Sequence, residues 1–374
     1  AAFQQAAQTL AAAGEWHRLF DLRLLQARYE LGLDVGRRDA IDDVEEPVRT
    51  RLEAAYLHAC REVGELLLDA GRYREAWMYL RPAGDKQLVR ERLSRAAPDL
   101  GDDDALDELI EIALFEAVDP ERGYAWLLQR QGTCNGITTL DSLQSQLSPG
   151  DLRACAAILV RHVYGELRGN LRGHLARLKG EAPATLSLGE LMRDFPELTE
   201  QGSYHLDPSH LVSALRYARL VQEPRLWSMA DEMVEYGRRL PDDLQYPDVA
   251  PFEKTYVANS LYFGALLGRN VEEAIDFFAS RTRRIGAGGE GPDSGRDDLE
   301  AAAAYVDLLS RLGRPGAALQ AYAELTPVDR ELGPLTPSLL DLARASGDWD
   351  AYADACRRRN DLVALIAGAV SRQG

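Results

Sequence analysis

Cysteine is scarce in this sequence, and the few cysteines are not spaced as metal-binding or redox cysteines usually are. A chain of 374 residues contains four of them, which lie far apart and form no CxxC motif: Cys60, Cys134, Cys155 and Cys356. A chain of this length builds its core without disulfides, and unpaired cysteines are typical of a reducing compartment. We therefore expect a cytoplasmic protein.

Long apolar runs are missing as well. No stretch of about 18 apolar residues without charge occurs, so we expect no membrane span. The chain opens with AAFQQAAQTL and its first methionine is Met78, so the sequence is compatible with a targeting segment upstream of residue 1.

Positive charge is also in short supply. The 43 lysines and arginines are outnumbered by 60 aspartates and glutamates, which gives a net charge of −17. A surface of this sign repels phosphate backbones, so we expect no nucleic acid partner. The sequence further lacks a P-loop, a glycine-rich dinucleotide motif after a strand, and the HExxH and GxSxG motifs. An enzyme of this sequence would therefore need a site assembled from separate elements.

Alternation of β-branched or aromatic residues, the signal of a strand, is almost absent. Apolar residues instead recur at intervals of three and four, which predicts an all-α fold. The predicted helices are Glu15–Leu31, Val44–Ala70, Tyr73–Leu80, Ala105–Ala117, Pro120–Arg130, Asp151–Leu178, Pro208–Val221, Pro224–Arg239, Glu253–Leu267, Val271–Thr282, Asp297–Leu312, Pro315–Leu325, Pro337–Ala345 and Trp349–Arg358.

A glycine junction recurs between these helices. It lies after an apolar helix end and before a charged residue and usually a bulky one, at Gly14, Gly71, Gly268, Gly313 and Gly347. Glycine tolerates the positive φ that a chain needs just past a helix end, so the next helix can fold back as an antiparallel hairpin. Gly313 and Gly347 are 34 residues apart, which is the tetratricopeptide period.

Two of these junctions resemble the tetratricopeptide family. The stretches LLLDAGRYREAWMYLRPA and LLSRLGRPGAALQAYAEL are similar to the helix-B half of such a unit, with matching residues at Gly71, Tyr73, Ala76 and Leu80, and at Gly313, Ala317 and Ala321. The other junctions are irregularly spaced, and the Trp-Leu-Gly-Tyr pattern of the first helix is missing. We therefore expect an irregular α-solenoid of antiparallel helix hairpins that is tetratricopeptide-like over about a quarter of the chain. The resemblance implies a scaffold that binds a protein or peptide partner on a concave surface.

The pattern divides the chain into three predicted domains. These are N-terminal helical hairpins over residues 1–130, a central helical segment with polar loops over 131–255, and tetratricopeptide-like hairpins over 256–374. The central segment resembles helical bacterial proteins of unassigned function through its GTCN, YH-x-D-x-x-H and EYGRRL phrases. Function is often carried by loops, so the polar turns of this segment are the first place to look for a site.

The stretch SYHLDPSHLVSAL, residues 203–215, predicts the start of a helix. Asp207 has the position of an N-cap and Pro208 that of the first helical residue. The buried stripe of this helix is predicted at Leu211, Leu215 and Ala218. This interpretation leaves His205 and His210 without a structural role.

Those two histidines could also belong to a metal site. His162 and Glu166 are four residues apart on a predicted helix, so one imidazole and one carboxylate point to the same side. A bundle can bring such residues together from separate helices to bind zinc or iron. The predicted ligands are His162, Glu166, His205, Asp207 and His210. The alternative is an ordinary hydrogen bond along a solvated helix face.

Cys134 and His210 are the candidate catalytic residues. In TCNGITTLD the thiol comes just before a predicted helix, where backbone N–H groups favour the thiolate. His205 or His210 could supply the base that a thiol nucleophile needs. The alternative is a tight turn at Asn135–Gly136 beside a half-buried cysteine.

Two functions remain open at this point. The first is a helical-repeat scaffold that binds a protein or peptide partner, with no cofactor and no catalysis assigned. The second is a metal-dependent helical enzyme, hydrolytic or oxidative, that uses the cluster in residues 162–210 and a divalent ion such as Zn or Fe. A structural or assembly subunit is a third possibility, because helical solenoids readily stack into oligomers.

Overall fold

A computed structural model of the chain describes residues 1–36, 45–95, 103–200, 204–282, 294–327 and 330–372. Over these residues the protein consists of helices joined by turns, and no strand occurs in them. The all-α prediction is therefore confirmed for the described part of the chain. Within the same ranges, no helix combines the length and the apolar character that crossing a bilayer requires.

The helices fall into two compact units, Ala1–Gly132 and Thr133–Gly374. The first unit contains α1 (Ala2–Ala12), α2 (Trp16–Glu30), α3 (Val48–Asp69), α4 (Tyr73–Ala83), α5 (Lys86–Leu93), α6 (Asp103–Ile110), a π-helical turn (Glu111–Phe115) and the first arm of α7 (Pro120–Leu143). The second unit begins with the other arm of α7.

The second unit continues with α8 (Pro149–Lys179), α9 (Leu188–Asp194), α10 (Pro208–Ala218), α11 (Pro224–Gly237), α12 (Thr255–Leu266), α13 (Val271–Ala279), α14 (Ser294–Arg311), α15 (Pro315–Leu325), α16 (Leu339–Ser346), α17 (Trp349–Arg358) and α18 (Leu362–Ser371). Short 3-10 turns, Pro196–Thr199 and Asp242–Leu244, follow α9 and α11.

Gly132 separates the two arms of α7. Its φ of 78° and ψ of 178° are not helical, and they lie in a region that residues with a side chain rarely adopt. The predicted domain boundary after residue 130 lies two residues before this division. The predicted boundary after residue 255 lies inside the second unit.

The five junction glycines end helices as predicted. Gly14, Gly71, Gly268, Gly313 and Gly347 all have a positive φ, between 69° and 81°. At each of them the helix before the glycine contacts the helix after it. The predicted helix corners are therefore confirmed, because glycine relieves the steric cost that any other residue would meet there.

Helix α8 runs through the core of the second unit. Ser148 caps it, since the serine hydroxyl accepts a hydrogen bond from the backbone N–H of Asp151 at 3.1 Å. At 31 residues the helix is roughly 46 Å long. One of its faces is fully buried against α9, α10 and α11, through Leu159, Val163, Leu167 and Leu171. The remaining faces carry the polar side chains that were predicted to form a site.

Candidate functional site

Asp207 and His210 lie at the start of α10. The Asp207 carboxylate accepts hydrogen bonds from the backbone N–H and the hydroxyl of Ser209, at 2.8 and 2.7 Å. These bonds to Ser209 lower the pKa of the Asp207 carboxyl. The predicted cap is confirmed, and the predicted stripe of Leu211, Leu215 and Ala218 is fully buried. His210 is half-buried in the first turn, and its backbone N–H donates to the Asp207 carbonyl at 3.0 Å.

His205 lies against His174 of α8 and not against His162. The distance between His174 Nδ1 and His205 Nε2 is 2.9 Å. The Tyr236 hydroxyl accepts a hydrogen bond from the backbone N–H of His205 at 2.7 Å, and it lies 3.3 Å from His205 Nδ1. The side-chain amide of Asn170 donates to the His205 carbonyl at 2.7 Å. The segment before α10 is thereby fastened to both α8 and α11.

His205 takes part in this contact as a neutral imidazole. A hydrogen bond between two ring nitrogens needs one protonated and one unprotonated nitrogen. Burial, with smaller contributions from His174 and Arg177, lowers the pKa of His205 to about 4. Burial also raises the pKa of the Tyr236 hydroxyl, to about 12. The His205 ring and the Tyr236 hydroxyl are therefore uncharged near neutral pH.

His162 and Glu166 are joined through a third residue, Thr133, that the sequence did not single out. The Thr133 hydroxyl donates to Glu166 Oε2 at 2.6 Å and accepts from His162 Nε2 at 3.0 Å. His162 Nε2 and Glu166 Oε2 are 3.8 Å apart. Thr133 is buried. The three side chains thus supply hydrogen-bond partners to one another. These bonds connect the helical residues after Gly132 to α8.

The five predicted metal ligands do not meet at one point. His162 and His174 are 12 residues apart on α8, which is roughly 18 Å along the helix axis. His205 contacts His174, so it cannot share an ion with His162, because each ligand lies only about 2 Å from a zinc ion. No group of three or more His, Cys, Asp and Glu in the described ranges could hold a metal ion. The predicted site of His162, Glu166, His205, Asp207 and His210 is therefore not formed.

Cys134 is an exposed thiol in the first turn of the helical residues that follow Gly132. Its carbonyl accepts a hydrogen bond from the Thr138 hydroxyl at 3.1 Å, as expected inside a helix. Residues 133–143 are helical, so the alternative of a tight turn at Asn135–Gly136 is wrong. His205, one of the two bases considered for this thiol, is bonded to His174 and Tyr236 instead.

The second unit contains a cavity that the sequence did not predict. It has a volume of about 580 Å³ and lies among α8, α10, α12, α14 and the segment after α15. Its charged lining comprises Arg153, Arg216, Arg219, Arg296 and Arg311 with Asp141, Glu300 and Asp307. Its apolar and aromatic lining includes Tyr217, Phe252, Tyr262, Leu299, Leu332 and Leu335. A concave, mostly apolar surface with a few polar groups is typical of a ligand site.

Arg219 is held by groups around its guanidinium. Nη2 lies 2.8 Å from Asp248 Oδ2, Nη1 donates to Asn259 Oδ1 at 3.3 Å, and the guanidinium carbon lies 3.8 Å from the centre of the Phe252 ring. Burial lowers the pKa of this guanidinium, and Asp248 opposes that effect. The charge of Arg219 is therefore compensated inside the protein.

Arg311 is compensated in the same way. Its Nε lies 2.8 Å from Asp307 Oδ2, and its Nη1 donates to the Val221 carbonyl at 2.6 Å. The same Asp307 oxygen accepts the hydroxyl hydrogen of Tyr262 at 2.7 Å. Burial raises the pKa of Tyr262, so the hydroxyl stays a donor.

Asp141 joins three side chains at another part of the cavity wall. Its Oδ1 accepts from the Tyr217 hydroxyl at 2.5 Å, and Arg216 Nη2 donates to both carboxylate oxygens at 3.0 and 3.2 Å. Gln144 donates to the same carboxylate at 3.3 Å and to the Tyr217 oxygen at 2.7 Å. Arg216 Nε is buried and has no hydrogen-bond partner among the described residues.

Arg153 differs from these arginines because it has no carboxylate partner in the part of the chain that the structure describes. Its Nη2 makes one long hydrogen bond, 3.4 Å, to the Leu335 carbonyl. Its Nε is buried and is without a partner in the same residues. Arg153 is therefore half-buried without a compensating carboxylate, whereas Arg216, Arg219 and Arg311 each have one.

The amino-acid sequence does not indicate that these arginines line a cavity. Arg216 lies on α10 and Arg219 directly follows that helix, but arginine in such positions is usually solvated. What distinguishes them is burial and a partner far along the chain, as in Arg216 with Asp141 or Arg311 with Val221.

No protein-family model, no curated protein and no solved structure matches this chain.

Proposed function

We propose that this protein is a helical binding module whose second unit holds an anionic group of a protein or peptide partner in the arginine-lined cavity. One observation carries the proposal: five arginines converge on one cavity of about 580 Å³ in a chain whose net charge is −17. Arginine is the residue best suited to bind carboxylate and phosphate, because its planar fork donates two parallel hydrogen bonds.

The architecture proposed for this module is an irregular solenoid of tetratricopeptide-like hairpins. Support comes from the junction glycines with positive φ and from the contacts between helices that are neighbours in sequence, from α14 through α18. Such hairpins present grooves between helices to a partner.

The charge distribution favours anion binding inside the cavity over anion binding across the protein surface. The acidic surface repels anions at a distance, whereas the cavity arginines attract them at close range. Binding of an anion should therefore weaken when salt screens the arginines, and it should require entry into the cavity.

Isothermal titration calorimetry of the full chain tests the proposal with four anionic probes. These are inorganic phosphate, citrate, octanoate, and a hexapeptide of glycine and leucine with a free C-terminus. We expect at least one probe to bind, and we expect the double variant R153Q/R216Q to weaken that binding by about 10-fold or more, the cost of a lost charged hydrogen bond.

The matched control is the double variant R238Q/R357Q. It makes the same change in net charge at two exposed arginines, which pair with Glu235 and Asp354 on the surface of the second unit. It should bind the probe as the wild type does. The proposal is overturned if no probe binds, or if both double variants lose binding equally.

A further inference from the structure

The arginines around the cavity outnumber the carboxylates by one. Five arginines line it, and four carboxylates face them: Asp141, Glu300 and Asp307 in the lining, and Asp248 as the partner of Arg219. Arg216, Arg219 and Arg311 each have a carboxylate within 3.0 Å of a guanidinium nitrogen. The cavity therefore carries a single excess positive charge, which suits a monoanion better than a dianion or trianion.

Two of the lining arginines, Arg296 and Arg153, have no carboxylate partner among the described residues, and of the two only Arg153 is half-buried. No carboxylate pairs with it among the described residues, its Nε is buried without a partner, and its only hydrogen bond is the long one to the Leu335 carbonyl. The edge formed by the two terminal nitrogens of the guanidinium therefore has N–H donors beyond this one bond. A carboxylate matches such an edge with two parallel N–H···O bonds.

Part of the cavity wall that Arg153 shares is apolar. The bonded neighbour of Arg153, Leu335, lines the cavity together with Leu332 and Leu299, and the ring of Phe252 lines it as well. A ligand that fills the cavity with its charge on Arg153 would therefore bury carbon against those side chains. A heavily hydrated ion such as phosphate or citrate would leave that apolar part of the wall uncovered and gain nothing from it.

We infer that the cavity binds a carboxylate attached to an apolar body, with Arg153 as the residue that contacts the carboxylate. This inference rests on the proposed function and adds the class of ligand to it. The same chemistry is presented by the free C-terminus of a peptide that ends in an apolar residue and by a free aliphatic acid. The cavity volume lies within the roughly 300–1,000 Å³ range of small-ligand sites, so either fits.

Two pairs of probes test the inference by calorimetry on the full chain. Each pair keeps the apolar body and removes the charge: octanoate with octanamide, and a hexapeptide ending in leucine as the free acid with the same peptide as the C-terminal amide. We expect the acid of at least one pair to bind about 10-fold or more tightly than its amide, because the amide cannot accept the two charged hydrogen bonds.

Two variants of Arg153 separate charge from geometry. R153Q should remove the preference of the protein for the acid over the amide. R153K keeps the charge but lacks the fork, so it should retain only part of the preference. R357Q should leave the preference unchanged, since Arg357 lies on an exposed surface. Circular dichroism of each variant checks that the fold is intact.

The outcomes distinguish this inference from the proposed function. Binding of the peptide acid identifies a peptide C-terminus as the source of the carboxylate, and binding of octanoate alone identifies a small acid. If phosphate or citrate binds through Arg153 while both acids fail, the inference is overturned and the anion site stands. If no probe binds, both fail. Equal affinity for acid and amide also overturns the inference.

Discussion

The Arg219 guanidinium and the Asp248 carboxylate form an ion pair that is withdrawn from solvent, with 2.8 Å between Nη2 and Oδ2. Only 12% of the Arg219 side chain and 4% of the Asp248 side chain are exposed. Replacing Asp248 by asparagine would leave a buried cation without its counter-charge. We expect D248N to lower the free energy of unfolding by about 3 kcal/mol, measured by urea denaturation.

An exposed ion pair of the same unit provides the control for this prediction. Asp354 pairs with Arg357 at 2.6 Å, and more than half of each side chain is exposed. D354N should change the free energy of unfolding by less than about 1 kcal/mol, because water already screens this pair. If D248N and D354N lowered the free energy of unfolding equally, the effect of D248N could not be assigned to the burial of Arg219.

The His174–His205 contact predicts a loss of stability in mild acid. The pKa of His205 falls from its ordinary value of 6.5 to about 4 on folding, so the unfolded chain binds the proton more readily. The contribution of His205 to stability is therefore complete above pH 6.5 and is lost as the pH falls toward 4.

Urea denaturation across that pH window measures the effect. H205N, which cannot take up a proton, should lose less stability than the wild type as the pH falls. H58N is the control, since His58 is exposed and should keep the pH dependence of the wild type. The same pH dependence in H205N and wild type would argue against a neutral, buried His205.

Gly237 of α11 meets the ring of Tyr256 so closely that a Cβ atom would overlap the ring carbons. G237A must displace this buried ring, so we expect the free energy of unfolding to fall by about 1–3 kcal/mol. Gly165, inside α8, has no neighbour within 4 Å of the same position. G165A should therefore gain about 1 kcal/mol from the higher helix propensity of alanine. Thermal melting should shift in opposite directions for these two variants.

Thiol titration checks the placement of the cysteines. Cys134 is exposed, whereas Cys60, Cys155 and Cys356 are buried. A thiol reagent should modify one cysteine quickly in the native protein and all four after denaturation. C134S should abolish the fast reaction, and C155S should leave it in place. A fast reaction that persists in C134S would contradict the exposure pattern.

Features that depend on a few consecutive residues were predictable from the sequence. Asp207 and Pro208 start α10 because capping and the fixed φ of proline act within one turn. The glycine corners, such as Gly71 and Gly313, follow from the same local steric rule. Neither prediction needed knowledge of what the helix packs against.

Helix α18 shows where local patterns stop being informative. Its sequence LVALIAGAVS has no charged residue and no apolar spacing that picks out one face, so it was not predicted as a helix. In the structure Leu362, Val363, Ile366 and Val370 are each more than half exposed. The face that packs is made by Ala364, Leu365 and Gly368, the last of them against Tyr352.

The candidate site could not be predicted because its contacts join distant positions. His205 was paired with His162 on chemical grounds, but the fold brings it to His174, 31 residues away. Tyr217 and Asp141 are 76 residues apart in sequence and form a 2.5 Å hydrogen bond. Residue types suggested which chemistry to look for, whereas packing decided which groups meet.

The hydrogen bond from Arg153 to the Leu335 carbonyl joins positions 182 residues apart. The walls of the cavity are thus supplied by nearly the whole second unit, from Asp141 to Thr336. A nascent chain has no such cavity until residue 336 has left the ribosome. A ligand of this cavity would therefore be captured only after residue 336 has been translated, and a product truncated before that residue would be unable to retain it.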